Sequence, residues 1–439
     1  MVFSSARLGY QALMKCGFEA VEPYLFWNKR ILLENFTRLP YNILLLRQLM
    51  QLNKFLKSKS NVLFIAALCL LYLTLFLYLD NLQFTSVWDE VHFWQTTLRF
   101  SQHPIPSLEL LRNYGELNTP LPFIIFGTLE YVFKGGIFFG RLLNLILSFT
   151  MTYLIGKSAL SCEEGSLLSL LGLLLFPYYL WSSGYFYTDI MAAFFVFLGF
   201  WFYQRERHIL SSIAFVLAIA SRQYMLAFPL AIAIHEVILT CKSEFKLDRR
   251  WLAPLLAAGS ILGWILLFGG LAPQVAITTV GAVPAVQKSL WAVGLSSSLY
   301  FLSCVGFYFV TLEWLLFNRK IKLQKLVMRK NCFLAFCLII LFILFPPLDA
   351  HGLLVQKLEL LSMEFLKLCL LYGLALVAVI RFAHFNLAFW ILLMSCGIML
   401  KAYPWDKYLL PILVVFWYFK AINQLDVTPE NSLRIDQAT

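Results

Sequence analysis

Two adjacent carboxylates and a histidine, Asp89-Glu90 and His92, follow shortly after an uncharged apolar run, NVLFIAALCLLYLTLFLYL, from Asn61 to Leu79. That run is long enough to span a bilayer, so the acids are expected at a membrane surface. A carboxylate placed there can take the proton of an attacking hydroxyl. Cations can stabilise the negative charge that grows on a departing group. Arginine suits a departing phosphate best, because its planar fork bonds two oxygens at once. Residues of these types recur along the chain: Asp89, Glu90 and His92, then Asn118, Tyr187 and Asp189, Arg222-Gln223, His351, and Lys407-Tyr408. They can act together only if folding brings them to one face.

The elements that must position them are helices in a membrane. The chain has 439 residues, of which 60% are hydrophobic and 13% charged, with a mean hydropathy of +0.75. This composition excludes an ordinary soluble domain and predicts an all-α polytopic membrane protein. The 35 Lys+Arg outnumber 24 Asp+Glu. They fall in short loops between apolar runs, which is the pattern of cationic loops against lipid and argues against nucleic acid as a partner. The nine cysteines form no CxxC pair and lie mostly in or beside apolar runs, as small packing residues do. No short apolar core with a small-residue cleavage site is found in the first sixty residues, so the Asn61–Leu79 run is expected to remain as an anchor.

Basic residues dominate before Asn61, which predicts a cytoplasmic N-terminus and places Asp89 and Glu90 on the lumenal or periplasmic side. Residues 1–60 read as a basic amphipathic segment lying on the membrane. The stretch from Thr119 to Phe133 is apolar but short, with Pro120, Pro122 and Glu130. If it crossed, the basic loops at Arg205, Arg249-Arg250 and Arg319 to Lys330 would face outward. The positive-inside rule therefore predicts a re-entrant or interfacial helix within a large first outer loop, 81–141.

Further spans are expected near Leu142–Ile155, Ser166–Leu180, Phe186–Tyr203, Ile209–Ala220, Met225–Thr240 and Trp251–Leu271. Later ones are expected near Trp291–Phe317, Cys332–Phe345, Phe365–Ile380, Phe385–Leu400 and Tyr408–Ile422. About twelve transmembrane helices result. Residues 61–423 then form one domain, 424–439 a tail, and both termini are cytoplasmic, in an endoplasmic reticulum or bacterial plasma membrane.

This topology gathers the candidate residues on the non-cytoplasmic face. Each also has a plainer role. Asp89-Glu90 would suit the first turn of a surface helix, and Asp189 could cap the helix that follows Thr188. Arg222 could snorkel at a helix end. His351 suits an ordinary loop, and Tyr408 an interfacial belt.

At these residues the chain resembles the C-type fold of membrane glycosyltransferases that use polyprenyl-phosphate sugars. Beyond the acidic pair, four stretches resemble the dolichyl-phosphate-glucose alpha-1,2-glucosyltransferase family. They are Asn118-Thr119-Pro120-Leu121-Pro122, Phe176-Pro177 with Phe186-Tyr187-Thr188-Asp189, Arg222-Gln223, and Lys407-Tyr408 with Leu410-Pro411. The likeness covers about Trp88 to Tyr418, with the middle from Leu271 to Lys401 alike only in hydropathy. His92 stands one place earlier than the family's histidine, Lys407 replaces an arginine, and the first sixty residues fall outside the match.

The resemblance implies a hexosyltransferase that inverts a beta-linked donor in one displacement. Asp89 would be the base, with Glu90 in support. His92, Asn118, Tyr187, Asp189, Arg222, Gln223, His351, Lys407 and Tyr408 would bind the substrates. Glucose from a polyprenyl phosphate would pass to a lipid-linked glycan or similar acceptor, with membrane lipid as the other partner. The scheme needs no cofactor. Neither His92 nor His351 has a second histidine at metal-ligand spacing, which leaves a cation held by Asp89, Glu90 and His92 as the weaker alternative. Two other classes stay open: a transporter of a sugar or anion, and an inactive assembly protein of the same fold. Oligomeric state is not legible in the sequence.

Overall fold

A computed structural model of the chain describes residues 61–87, 89–103, 105–162, 166–242, 249–279, 285–289, 291–317, 329–361 and 363–427. Residues 1–60, with the expected amphipathic segment, Trp88, Glu163 and Glu164, most of the stretch from Arg319 to Lys330, and residues 428–439 lie outside them. Two units divide at Leu63, and of the first only residues 61–63 are described. The second unit, Phe64–Thr439, holds every residue of the candidate site.

The described residues are helical, and no strand occurs among them. Among the described residues four helices are long and apolar enough to cross a membrane: Asn61–Tyr78, Ile137–Ser161, Gln223–Cys241 and Leu295–Phe317. A fifth crossing is made if Pro177–Gly184 and Thr188–Tyr203, bent by 112° at their break, count as one. Shorter apolar helices include Leu121–Phe133, His208–Ser221, Leu252–Phe268 and Leu387–Met399.

The expected run Ser166–Leu180 is two helices, Leu168–Leu174 and Pro177–Gly184. Pro177 has no N–H to donate and holds Phe176 extended, at φ −74° and ψ 114°, so the helix cannot continue through it.

Burial separates the roles of the helices. The apolar stretch of Asn61–Tyr78 is only 11% buried within the protein, as a lipid-facing helix would be, whereas that of Leu295–Phe317 is 67% buried. Leu410–Ala421 is apolar all round and forms the centre, with every residue buried except Lys420. Its Trp417 and Phe416 stack on Phe309 and Phe382, and Trp417 presses on Gly172, where a Cβ would meet the indole at 2.3 Å. Hydrogen bonds link helices where apolar contact gives little specificity. The Tyr72 hydroxyl meets Thr152 Oγ1 at 2.9 Å, Thr152 meets the Tyr179 hydroxyl at 2.6 Å, and that hydroxyl donates to the Ser148 carbonyl at 2.9 Å.

The short Leu121–Phe133 helix begins and ends at the same end of the bundle. Before it, the Thr119 hydroxyl donates to the Ile219 carbonyl near the close of His208–Ser221. After it, Arg141, in the second turn of Ile137–Ser161, bonds the Leu82 and Phe84 carbonyls and Glu90. Glu130 turns the chain between them by accepting the Gly136 N–H at 2.8 Å.

Candidate active site

The break between Pro177–Gly184 and Thr188–Tyr203 is the foundation of the site. Unwound backbone among apolar helices must find partners, since lipid offers none. Asn144 supplies them by donating through Nδ2 to the Tyr185 and Tyr187 carbonyls, both at 2.8 Å. Glu90 accepts the Phe186 N–H at 2.6 Å and the Val87 N–H at 3.2 Å. The same carboxylate takes Nε of Arg141 at 2.9 Å and its terminal nitrogen at 2.8 Å, with both side chains fully buried. Arg141 also lies over the Phe84 ring at 3.7 Å. Glu90 is therefore saturated with donors, and its place is to lock the start of Asp89–Phe100 onto the break.

Asp89, one residue earlier, is differently placed. Its Oδ2 meets Lys407 Nζ at 2.9 Å, and its side chain is 39% exposed against 8% for Lys407. An accessible carboxylate thus stands beside a nearly buried ammonium from the far end of the sequence. Aromatic rings shape the space around that ammonium: Trp405 at 3.7 Å, Tyr187 at 5.7 Å and Tyr408 at 5.9 Å. A cation over ring faces is held by their quadrupoles. Tyr187 itself lies in the field of Asp89, Glu90 and Asp189.

A second ion pair adjoins. Thr188–Tyr203 opens with Asp189 in its first turn, and His208–Ser221 closes just before Arg222. Arg222 donates to Asp189 Oδ2 at 2.9 Å and through Nε to the Thr188 hydroxyl at 2.8 Å. The Tyr224 hydroxyl reaches Asp189 Oδ1 at 3.3 Å, and Tyr224 packs on Tyr408 with ring centroids 5.3 Å apart. Gln223 Nε2 donates to the Leu117 carbonyl at 2.7 Å and the Leu271 carbonyl at 3.2 Å. Asn118 Nδ2 makes a longer contact of 3.4 Å with Thr188 Oγ1, and its carbonyl accepts from Tyr114. The 114–118 strap is thereby pinned beside the Asp189–Arg222 pair.

That strap carries Glu116, which lies half-buried. Its carboxyl is pushed up to about 8, first by burial and then by the Asp89 charge, against a lowering by Arg222. Glu116 is a protonated acid near neutrality, within the fields of an ionisable acid and a cation.

Lys407 is fixed by its neighbour. Asp406 is fully buried, and its Oδ2 accepts from the Tyr308 hydroxyl and the Leu354 N–H, each at 3.0 Å. Burial raises its pKa, and those hydrogen bonds oppose the rise. Gly352 at φ +116° lets the 351–354 backbone pass so close that a Cβ would stand 1.8 Å from Asp406 Oδ1.

Asp89, Glu90, Asn118, Tyr187, Asp189, Arg222, Gln223, Lys407 and Tyr408 are thus brought into one linked set of contacts. His92 is exposed on Asp89–Phe100 and joins none of them. His351 pairs its backbone with Pro404 and Trp405, but its ring is exposed and contacts Tyr403. Lys401 donates to backbone carbonyls, at Ser289 over 3.1 Å and at Ala292. Among the described residues no group of three or more His, Cys, Asp or Glu is spaced to hold a metal ion. Sequence reasoning missed Arg141 and Asn144 as members of the site. Their signal was a charged and an amide side chain inside an apolar run, where buried polar groups have partners or a task.

Compared with known proteins, the chain matches no family model, no curated protein and no solved structure.

Proposed function

We propose that the chain is an inverting glycosyltransferase with the C-type membrane fold, which moves a hexose, glucose by preference, from a polyprenyl-phosphate donor to a lipid-linked glycan or similar acceptor. The observation that carries this reading is the Asp89–Lys407 pair: an accessible carboxylate held 2.9 Å from a nearly buried cation, with the Asp189–Arg222 pair adjoining. Asp89 serves as the base and accepts the proton of the acceptor hydroxyl. As that proton leaves, the hydroxyl oxygen bonds to the sugar C1 on the face opposite the donor phosphate. The bond from C1 to the phosphate oxygen breaks, and its electron pair stays on the phosphate.

Lys407 and Arg222 supply the positive charge that this phosphate needs. Tyr224, Trp405 and Tyr408, each partly exposed, offer faces for the sugar ring, and the buried Tyr187 backs Lys407. Glu90, saturated by Arg141, positions Asp89 without touching substrate. The non-cytoplasmic placement and the count of about twelve spans belong to this proposal. Support comes from both termini of Leu121–Phe133 lying at the site's end of the bundle, as a helix that does not cross would have them.

The test is transfer in membranes containing the full chain, supplied with radiolabelled polyprenyl-phosphate hexoses. Label is expected to move into a lipid-linked glycan, with the glucose donor best. No transfer from any hexose donor, together with counterflow of free sugar, would replace this reading with a transporter.

A further inference from the structure

A second charged site lies at the other end of the same helices. Thr188 and Asp189 open the Thr188–Tyr203 helix, whose 16 residues extend roughly 24 Å at the usual rise. Where that helix closes, a cavity of about 480 Å³ is lined by Lys157 and Ser158, by Trp201, Gln204 and Arg205, and by Tyr418. None of its described lining residues is acidic.

Among the described residues no carboxylate pairs with Arg205. Its guanidinium stacks on the Trp201 ring at 3.7 Å and donates to the Trp201 carbonyl at 2.9 Å. Lys157 reaches over Tyr153, with Nζ 5.8 Å from the ring centroid. The Trp201 Nε1–H is buried with no hydrogen-bond partner.

Two exposed cations, one of them pre-oriented by stacking, together with the Ser158 hydroxyl, match the oxygens of a phosphate. The ends of apolar helices are also where lipid headgroups lie.

We propose that this cavity, at the opposite end of the bundle from Asp89, is a phosphate-binding site built by Lys157, Arg205 and Ser158, with Trp201 as the platform under Arg205, suited to the headgroup of an anionic membrane lipid. It is separate from the transfer chemistry and does not depend on that reading.

The test uses the full-length protein in neutral detergent, with lipid binding followed by native mass spectrometry and by thermal unfolding. Phosphatidylglycerol is compared with diacylglycerol, which lacks phosphate, and with inorganic phosphate at matched ionic strength. Wild type is expected to bind phosphatidylglycerol in preference to diacylglycerol, and Lys157→Gln with Arg205→Gln to weaken that binding about tenfold, the effect of losing a charge-assisted hydrogen bond. Lys157→Gln alone, which leaves the Arg205 packing untouched, is expected to weaken it in the same direction. Inorganic phosphate that binds wild type as tightly as the lipid, and is lost in the variants, would support the phosphate site with a soluble occupant. Equal binding of phosphatidylglycerol and diacylglycerol, or binding unchanged in both variants, would overturn the proposal.

Discussion

Replacing Glu90 should damage the fold far more than replacing Asp89, although the two are adjacent and of the same charge. Glu90→Gln leaves Arg141 charged and fully buried with no opposing charge, and breaking such a pair costs about 3–5 kcal/mol. Asp89 is 39% exposed, so its link to Lys407 is screened by solvent, and Asp89→Asn should cost no more than about 1 kcal/mol. For a chain of this length each kcal/mol moves the melting temperature by about 1–2 °C, giving a drop of about 3–10 °C for Glu90→Gln and at most about 2 °C for Asp89→Asn. The assay is thermal unfolding of the detergent-solubilised protein by tryptophan fluorescence, at one scan rate because such unfolding is often irreversible. Glu90→Gln combined with Arg141→Met should recover part of the loss, since no uncompensated charge remains. Equal shifts for Glu90→Gln and Asp89→Asn, or a double variant no better than Glu90→Gln, would refute the division of labour drawn between the two acids.

Arg222→Lys should lower stability by about 1–3 kcal/mol and transfer at least tenfold, because a point-like ammonium replaces the planar fork whose separate nitrogens meet Thr188 Oγ1 and Asp189 Oδ2; unfolding and transfer rates check this. Gly352→Ala should reduce stability by at least about 1–3 kcal/mol and slow transfer, since its φ of +116° and the 1.8 Å approach of Asp406 both forbid a Cβ beside the Lys407 turn; the same two assays report it. Glu116 has a carboxyl at about 8 in the fold against about 4.3 when unfolded, so folding takes up a proton between those values. Its stability contribution is complete below about pH 4.3 and is lost as pH rises through about 8. Glu116→Gln should therefore gain over wild type at pH 9 relative to pH 5, and a melting-temperature series across that range measures it.

The helices were legible because apolar runs in a membrane protein have few alternatives, and their observed bounds fall within a few residues of the expected ones for Thr188–Tyr203, His208–Ser221 and Leu387–Met399. The split at Phe176-Pro177 was written in the proline, but hydropathy alone ran through it. Asp89 with Lys407 and Asp189 with Arg222 were expected on one face, and the structure makes each an ion pair. Partner identity could not be read that way, because 318 residues separate the Asp89–Lys407 pair. Nor could spacing divide Glu90 from Asp89: the difference lies in Arg141, which reaches Glu90 from another helix. His351 stood with Lys407 among the candidate binding residues while also suiting an ordinary loop, and its ring turns to Tyr403, with only its backbone joining the Trp405 segment.

The central claim is that Asp89 takes the acceptor's proton, and the direct measurement is the rate of hexose transfer from a radiolabelled polyprenyl-phosphate donor by wild type and Asp89→Asn, with folding verified by melting temperature. Loss of a general base predicts a fall in kcat of about a hundredfold or more, in a protein that melts within about 2 °C of wild type. Transfer by folded Asp89→Asn at near the wild-type rate would contradict the claim.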